Sequence, residues 1–120
     1  MITFEFAKHF TQEWIESWNS HNLDIILSHY TDDFCIRTPM AAKLFPESNG
    51  IVDGKENVRK YWTIGLERIP NLQFELIDFL VGIDGITIYY INTATNKKTA
   101  EVMSFNKDLK VYKASAYYTE

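Results

Sequence analysis

The last third of the chain alternates between apolar and polar residues and predicts three consecutive β-strands. The segments read ITIYYINTA, TAEVMSF and KVYKASAYY, and short polar turns separate them at residues 95–97 and 106–108. Alternation of this kind is typical of strands with one buried face, and turns this short join antiparallel neighbours. The stretch from Ile86 to Tyr118 is therefore predicted to form an antiparallel meander.

The first of these turns decides which side chains share a face, because pairing across residues 95–97 keeps the same parity on both strands. The face predicted to be inward carries Ile86, Ile88, Tyr90 and Asn92, then Thr99, Glu101, Met103 and Phe105, and, through the second turn, Tyr112, Ala114, Ala116 and Tyr118. Glu101 is the one acid on this otherwise apolar and aromatic face. It is the strongest candidate for chemistry in the chain.

Three segments of the first two thirds carry helical patterns. Residues 3–19 repeat large apolar side chains at steps of four, at Phe6, Phe10, Trp14 and Trp18, which predicts an amphipathic helix. Asn22 is a suitable N-cap for a short second helix over residues 23–29. A third helix is predicted over residues 55–68, with its apolar side formed by Val58, Tyr61, Trp62, Leu66 and Ile69.

The segments between these helices are less regular. A short strand over residues 34–38 follows a turn at residues 31–33 and ends at Pro39. Residues 40–53 show no periodicity and are a candidate lid or pocket rim. Residues 72–81 form a long strand with an ambiguous inward face, because one parity turns Asp78 inward unless a β-bulge intervenes.

The order of elements predicts an α+β fold, since helices precede a run of strands. A curved antiparallel sheet with one apolar face needs helices to cover it, and this arrangement leaves a conical hollow. The aromatic share of 15% fits either a bulky core or an apolar pocket. With 120 residues, of which 46% are hydrophobic, the chain is expected to form one domain over 1–120.

Charge and cysteine content narrow the function classes. The net charge is −4 and no basic stripe occurs, which argues against a nucleic-acid partner. One cysteine, no membrane-length apolar run and no leader-like start favour a soluble cytoplasmic protein without membrane contact. No HExxH, Cys/His cluster or glycine-rich phosphate loop occurs, so we expect no metal and no cofactor.

Several segments together resemble the nuclear transport factor 2-like superfamily, and within it the SnoaL-like branch related to polyketide cyclases and ketosteroid isomerase. These segments are WIESWNSHNLDIILSHYTDDF, GKENVRKYW, PNLQFELIDFLVGID, TAEVMSFN and KVYKASAYY. They span almost the whole chain in the order typical of the family. The resemblance implies a cone-shaped cystatin-like fold, in which a curved antiparallel sheet wraps around three N-terminal helices.

The resemblance to ketosteroid isomerase extends to one of three functional positions. Thr38 stands where that enzyme has a carboxylate before a proline, and Trp14 stands where it has an oxyanion-donating tyrosine. Glu101 falls where it has a protonated acid. Because a threonine cannot take a proton from carbon at neutral pH, steroid isomerisation by that mechanism is not expected. Tyr117 also replaces a histidine that many relatives carry near the end of the domain.

Three functions fit these observations. The first is a domain that binds a small apolar or aromatic molecule in the conical pocket, oriented by Glu101. The residues predicted to contact this ligand are Trp14, Trp18, Thr38, Trp62, Phe74, Tyr90, Asn92, Met103, Ala116 and Tyr118. The second is a cofactor-free acid–base enzyme, an isomerase, cyclase or dehydratase with Glu101 as its catalytic residue. The third is a dimeric interaction scaffold whose hollow is filled by side chains.

The same residues also fit purely structural roles. The aromatic set could be only core, and Glu101 could be an internal acid satisfied by tyrosine and indole groups, with Trp14 and Trp62 as orienting donors. The outer face of the sheet predicts a homodimer, because so large an exposed patch is a liability in a monomer. That face is expected to carry Thr87, Tyr89, Ile91, Val102, Ser104, Val111, Lys113, Ser115 and Tyr117.

Overall fold

The structure is a computed structural model that describes residues 1–120. It contains four α-helices, a short 3₁₀ helix and six β-strands. The helices are α1 (Phe4–Ser20), α2 (Leu23–Leu27), α3 (Pro39–Leu44), the 3₁₀ helix (Pro46–Ser48) and α4 (Lys55–Arg68). The strands are β1 (Tyr30–Arg37), β2 (Ile51–Asp53), β3 (Phe74–Val81), β4 (Gly85–Asn92), β5 (Lys97–Phe105) and β6 (Val111–Tyr118).

Local chemistry explains where the N-terminal helices begin and end. The Thr3 hydroxyl accepts a hydrogen bond from the Phe6 N–H, so it caps α1. His21 ends that helix in the left-handed conformation, with φ 60. The Asn22 side chain then accepts from the first two free N–H groups of α2, as its sequence position predicts. The two helices therefore meet at a tight, fully capped corner.

The six strands form one sheet in the order β2-β1-β6-β5-β4-β3. All neighbouring pairs are antiparallel except β1 and β6, which run parallel. The predicted meander β4–β5–β6 is confirmed. The predicted turn at 31–33 is wrong, because those residues already belong to β1, beside a register shift in its pairing with β6.

The segment 40–53 was predicted to be irregular, and this is also wrong. Pro39 does not merely end a strand, since it is the first residue of α3, where proline's missing N–H costs nothing. Thr38 caps this helix through its hydroxyl. The chain then returns through the 3₁₀ helix and pairs β2 with β1. The sheet is thereby two strands wider than its four C-terminal strands.

The predicted facing of β4 and β5 is confirmed. Ile88 pairs with Glu101 and Tyr90 pairs with Thr99, and all four side chains are buried. On β6 the prediction holds from Ala114 onwards but fails before it. A register shift near Ser104 puts Val111 opposite Phe105, so Val111 is buried and Tyr112 is exposed. Tyr112 is thus not an inward residue, and Val111 is not part of the outer face.

A β-bulge resolves the ambiguous face of β3. Its register with β4 shifts between Leu76 and Asp78, so the strand changes parity there. Phe74 is buried before the bulge, and Phe79 is half-buried after it. Asp78 consequently points outward, opposite Tyr89.

One core of 24 buried residues fills the space between the helices and the inner face of the sheet. We call the region around Phe6, Phe10, Ile86, Met103, Phe105 and Val111 the closed end. There the Phe10 and Phe105 rings meet edge to face with centroids 4.8 Å apart. No helix of the protein combines the length and apolar character needed to cross a membrane.

Candidate functional site

A cavity of about 390 Å³ lies at the opposite end of the core, between α1, α3, α4 and the inner face of the sheet. We call this region the open end. Its wall consists of Trp14, Trp18, Ile36, Thr38, Pro39, Met40, Lys43, Tyr61, Trp62, Gly65, Leu66, Ile69, Leu72, Phe74, Tyr90, Asn92, Thr95, Lys97, Thr99, Glu101, Tyr118, Thr119 and Glu120. Aromatic rings from both helices and strands therefore surround the hollow.

The inward positions of the meander change character along the strands. On β4 the sequence runs from Ile86 and Ile88 at the closed end to Tyr90 and Asn92 at the open end. On β5, Thr99 and Glu101 lie at the open end, whereas the next inward positions toward the closed end are apolar. Polar inward residues thus coincide with the cavity.

Glu101 is the one buried carboxyl group in the wall. Its side chain is 7% exposed, and the Tyr90 hydroxyl donates to its Oε1 across 3.3 Å. No lysine, arginine or histidine forms an ion pair with it. Burial raises the pKa of Glu101 to about 7, against the lowering effect of the Tyr90 hydrogen bond. This carboxyl can therefore exchange a proton near neutral pH.

The expectation that Trp14 orients Glu101 is wrong. Its indole Nε1 donates to the hydroxyl of Tyr30 across 2.8 Å, and both groups are buried. Trp14 still presents its ring to the cavity and stacks on Phe74 with centroids 5.8 Å apart. The indole of Trp18, whose N–H has no partner, packs edge to face on Trp62 at 4.9 Å. These rings shape the wall without supplying protons.

Three hydroxyl groups gather where β1, α4 and β6 approach one another. The Thr38 hydroxyl lies 3.1 Å from that of Tyr118, and the Tyr61 hydroxyl is beside Thr38. Burial raises the pKa of Tyr61 to about 12 and that of Tyr118 further, with Glu101 adding to both effects. Both tyrosines are consequently protonated donors at neutral pH.

Of the ten residues predicted to contact a ligand, eight lie in the cavity wall. They are Trp14, Trp18, Thr38, Trp62, Phe74, Tyr90, Asn92 and Tyr118, and Glu101 lies among them. Met103 does not reach the cavity, because it is opposite Ile86 and Ala114 in the filled part of the core. Ala116 lines a separate, more open cavity beside Pro39 and Ala42. Both were predicted from strand parity, and neither lies in the wall of this cavity.

Sequence reasoning missed several wall residues. Tyr61 was assigned to the apolar side of α4 but not to the ligand contacts. Met40 and Lys43 come from α3, which the sequence did not predict as a helix. With Lys97 and Glu120 they form the mouth, where none of the three charged side chains forms an ion pair.

The arrangement is suited to acid–base chemistry or to recognition of an oxygen-bearing ligand, and not to metal binding. No group of three or more His, Cys, Asp or Glu side chains lies close enough to hold a metal ion. Glu101 is the single buried carboxyl among aromatic hydroxyl and indole groups. Its position supplies one proton-exchanging group against an apolar wall.

Comparison with known proteins places this geometry in a family. The family model described as a SnoaL-like domain matches residues 11–113. A SnoaL-like protein of unknown function from Burkholderia thailandensis E264 is 42% identical, with both chains fully covered (100%) and a TM-score of 0.94. No curated protein matches the chain.

More distant structures share the fold alone. A protein of unknown function with a cystatin-like fold from Methylobium petroleophilum PM1 is 11% identical, with a TM-score of 0.77 over 99% of this chain and 79% of that one. TerC, co-crystallised with polyporic acid, is 9% identical, with a TM-score of 0.75 over 94% and 91%. The α+β cone predicted from the sequence is thus confirmed, and the chain belongs to the SnoaL-like domain family of the nuclear transport factor 2-like, cystatin-like fold.

Proposed function

We propose that this chain binds a small, largely apolar or aromatic molecule in the open-end cavity, with Glu101 as its polar contact. The observation that carries the proposal is the cavity itself, of about 390 Å³, beside a buried acid that no cation neutralises. Ligand pockets in proteins commonly measure roughly 300–1,000 Å³ and have apolar walls with few polar groups. A scaffold with a filled hollow has no such space.

The composition of the wall supports a flat ligand. Trp14, Trp18, Trp62 and Phe74 present ring faces and edges, which favour stacked or edge-to-face contact with an aromatic guest. TerC shares the fold and was co-crystallised with polyporic acid. That likeness concerns the fold only, but it supports a small-molecule role for this kind of cone.

Tryptophan fluorescence tests the proposal directly, because all 3 tryptophans of the chain line the cavity. Titration with tetralin, a bicyclic hydrocarbon, is expected to give a saturable change in emission. Gly65 offers a matched blocking variant, since a Cβ placed there meets no atom within 4 Å. Gly65→Leu should occupy part of the cavity and weaken the signal, whereas Gly65→Ala should retain it. Equal signals in both variants would count against binding in this cavity.

A second candidate function is acid–base catalysis without a cofactor, and the raised pKa of Glu101 to about 7 favours it. In this reaction the Glu101 carboxylate takes a proton from the carbon beside a carbonyl group, and the electron pair of the C–H bond moves onto the carbonyl oxygen. Return of the proton to a different atom isomerises the substrate. Isomerases, cyclases and dehydratases share this first step.

Exchange of α-protons for deuterium in 1-tetralone, followed by NMR, tests this second function. The rate should rise with pH through about 7 as Glu101 ionises, and Glu101→Gln should reduce it to the uncatalysed rate. Glu16→Gln, on the solvent side of α1, is the control. An unchanged rate in Glu101→Gln would remove this function while leaving ligand binding untouched.

We also propose a homodimer through the outer face of the sheet. Cross-strand pairs place Leu80, Thr87, Val102 and Ser115 in one outward row, and Asp78, Tyr89, Ala100 and Tyr117 in the next. Tyr117 is 63% and Leu80 59% exposed in the single chain. Burying these side chains against a second copy removes apolar surface from water.

Charge distribution supports this pairing. Glu75 and Asp78 lie on β3, whereas Lys98 and Lys113 lie on β5 and β6. A two-fold axis along the strands sets the acidic side of one copy over the basic side of the other. Light scattering at micromolar concentration should give twice the chain mass, and Tyr117→Asp should halve it. Leu109→Asp, in the exposed turn after β5, should change nothing.

A further inference from the structure

The Thr38 hydroxyl lies in the cavity wall, and the number of hydrogen bonds it can form limits those of its neighbours. Thr38 follows β1 and caps α3, so its oxygen accepts the Met40 N–H across 3.2 Å. The same oxygen lies 3.1 Å from the Tyr118 hydroxyl and beside that of Tyr61. One hydroxyl therefore has three polar neighbours.

A hydroxyl group has one proton and two lone pairs. The Met40 N–H occupies one lone pair of Thr38, which leaves one lone pair and one proton for the two tyrosines. Only one tyrosine can donate to Thr38, and the other can only accept from it. The tyrosine that accepts keeps its own O–H free, whichever way the chain of hydrogen bonds runs.

The contacts of Thr38 assign the free O–H to Tyr61. Tyr118 lies at hydrogen-bond length from Thr38, 3.1 Å, and can donate to it. Tyr61 has a weaker contact with Thr38, and that contact lowers the pKa of Tyr61, as a hydrogen bond donated by Thr38 does. Tyr61 is 5% exposed and lines the cavity. Glu101, in the same wall, uses only Oε1 for its contact with Tyr90. A donor without a partner and an acceptor with a free oxygen thus share one apolar hollow.

We propose that Tyr61 is a specificity-determining residue that donates a hydrogen bond to an oxygen of the ligand, so that the site selects aromatic ketones and related carbonyl compounds over hydrocarbons of the same shape. The inference rests on the proposed binding function and narrows its ligand class. Tyr61 remains a donor at neutral pH, since burial holds its pKa far above 7. A ligand that cannot accept a hydrogen bond leaves this donor without a partner in an apolar site, which weakens the binding of that ligand.

Paired titrations with 1-tetralone and tetralin test the inference, because the two compounds differ by one carbonyl oxygen. The wild-type protein should bind the ketone roughly tenfold more tightly, as expected for one hydrogen bond in an apolar site. Tyr61→Phe should bring the two affinities together, and Tyr112→Phe, on the exposed surface, should leave the ratio unchanged. The infrared carbonyl stretch of bound 1-tetralone should lie at lower wavenumber in the wild type than in Tyr61→Phe.

The outcomes separate this inference from the function beneath it. Equal binding of both compounds by the wild type, or a ratio that survives Tyr61→Phe, overturns the role of Tyr61 but leaves ligand binding intact. Loss of the ratio in Tyr118→Phe but not in Tyr61→Phe overturns the assignment of the free O–H. Absence of binding by either compound contradicts the proposed function and this inference together.

Discussion

The closed and open ends of the cone are built from the same strands and yet use their inward positions differently. At the closed end, Phe6, Phe10 and Phe105 fill the space with edge-to-face contacts, and the centroids of Phe6 and Phe105 are 5.8 Å apart. At the open end the inward positions hold Tyr90, Glu101 and neighbouring polar groups around a hollow. The closed end supplies packing energy, whereas the open end keeps space and unpartnered polar atoms.

This difference suggests a division of labour within one core. Dense apolar packing stabilises the fold wherever it occurs, and a buried acid without a cation opposes it. The cone places both in one continuous cluster, so the closed end compensates for what the open end costs. Substitutions at the two ends should therefore have unlike effects on stability.

Removing a large side chain from the closed end should have the greatest effect. Phe105 is 4% exposed and contacts both Phe6 and Phe10, so Phe105→Ala should lower the free energy of unfolding by roughly 3–5 kcal/mol. Leu66 at the open end is half-buried beside the cavity, and Leu66→Ala should cost less than about 2 kcal/mol, since no new cavity is created. Urea unfolding of both variants measures the contrast. Similar losses at the two sites would contradict the division.

The second largest effect should be a pH dependence of the free energy of unfolding that arises from Glu101. Its pKa rises from 4.5 to about 7 on folding, so its protonated form is the one that the native state favours. The stability it allows is fully present below pH 4.5 and is lost as pH rises through about 7. A shift of this size corresponds to ~3 kcal/mol.

Glu101→Gln removes this titration. Its free energy of unfolding relative to the wild type should improve between pH 4.5 and 8, which urea titrations at several pH values measure. The control, Glu16→Gln on the solvent side of α1, alters an exposed acid and should track the wild type. A parallel shift of the Glu101→Gln and wild-type curves at every pH would mean that the carboxyl titrates normally.

The sequence predicted the inner wall of the open end better than the residues of its mouth. The alternation of β4 and β5 across a short turn placed Glu101 and Tyr90 on the inner face, because strand parity is local information. Parity fails at a bulge, and the register shift near Ser104 therefore exchanged the roles of Val111 and Tyr112. Met103 and Ala116 lie on the inner face, as predicted, but outside the wall of the cavity. Their distance from the cavity depends on how the sheet and helices meet.

The hydroxyl cluster depends on long-range packing, and the sequence therefore did not predict it. Thr38, Tyr61 and Tyr118 are far apart in the chain, and only the parallel pairing of β1 with β6 brings the first and last together. No short motif encodes that pairing. Tyr61 belonged to an apolar helical stripe, where a tyrosine is usually ordinary core. The helix α3 was missed because proline at its first turn reads equally well as a strand end.

Substitutions of two buried tyrosines, Tyr30 and Tyr61, should have smaller effects on the free energy of unfolding. Tyr30 is 3% exposed, and its hydroxyl accepts from the Trp14 indole across 2.8 Å. Tyr30→Phe leaves that buried N–H without a partner, which should cost roughly 1–3 kcal/mol of unfolding free energy. Thermal and urea unfolding measure the loss. A negligible cost would show that water or another group replaces the lost acceptor.

Tyr61→Phe should have the smallest effect on stability, although Tyr61 is buried to nearly the same extent at 5% exposure. The one hydrogen-bonding contact of its hydroxyl is with Thr38, whose proton can turn to Tyr118 instead, so its removal breaks no strong contact and spares a polar group its burial. The free energy of unfolding should change by less than about 0.5 kcal/mol, as for replacements without a named destabilising mechanism. A loss as large as that of Tyr30→Phe would mean that Tyr61 holds Thr38 and α3 in place. A small change together with the lost preference for ketones would mean that this hydroxyl contributes to recognition and not to folding.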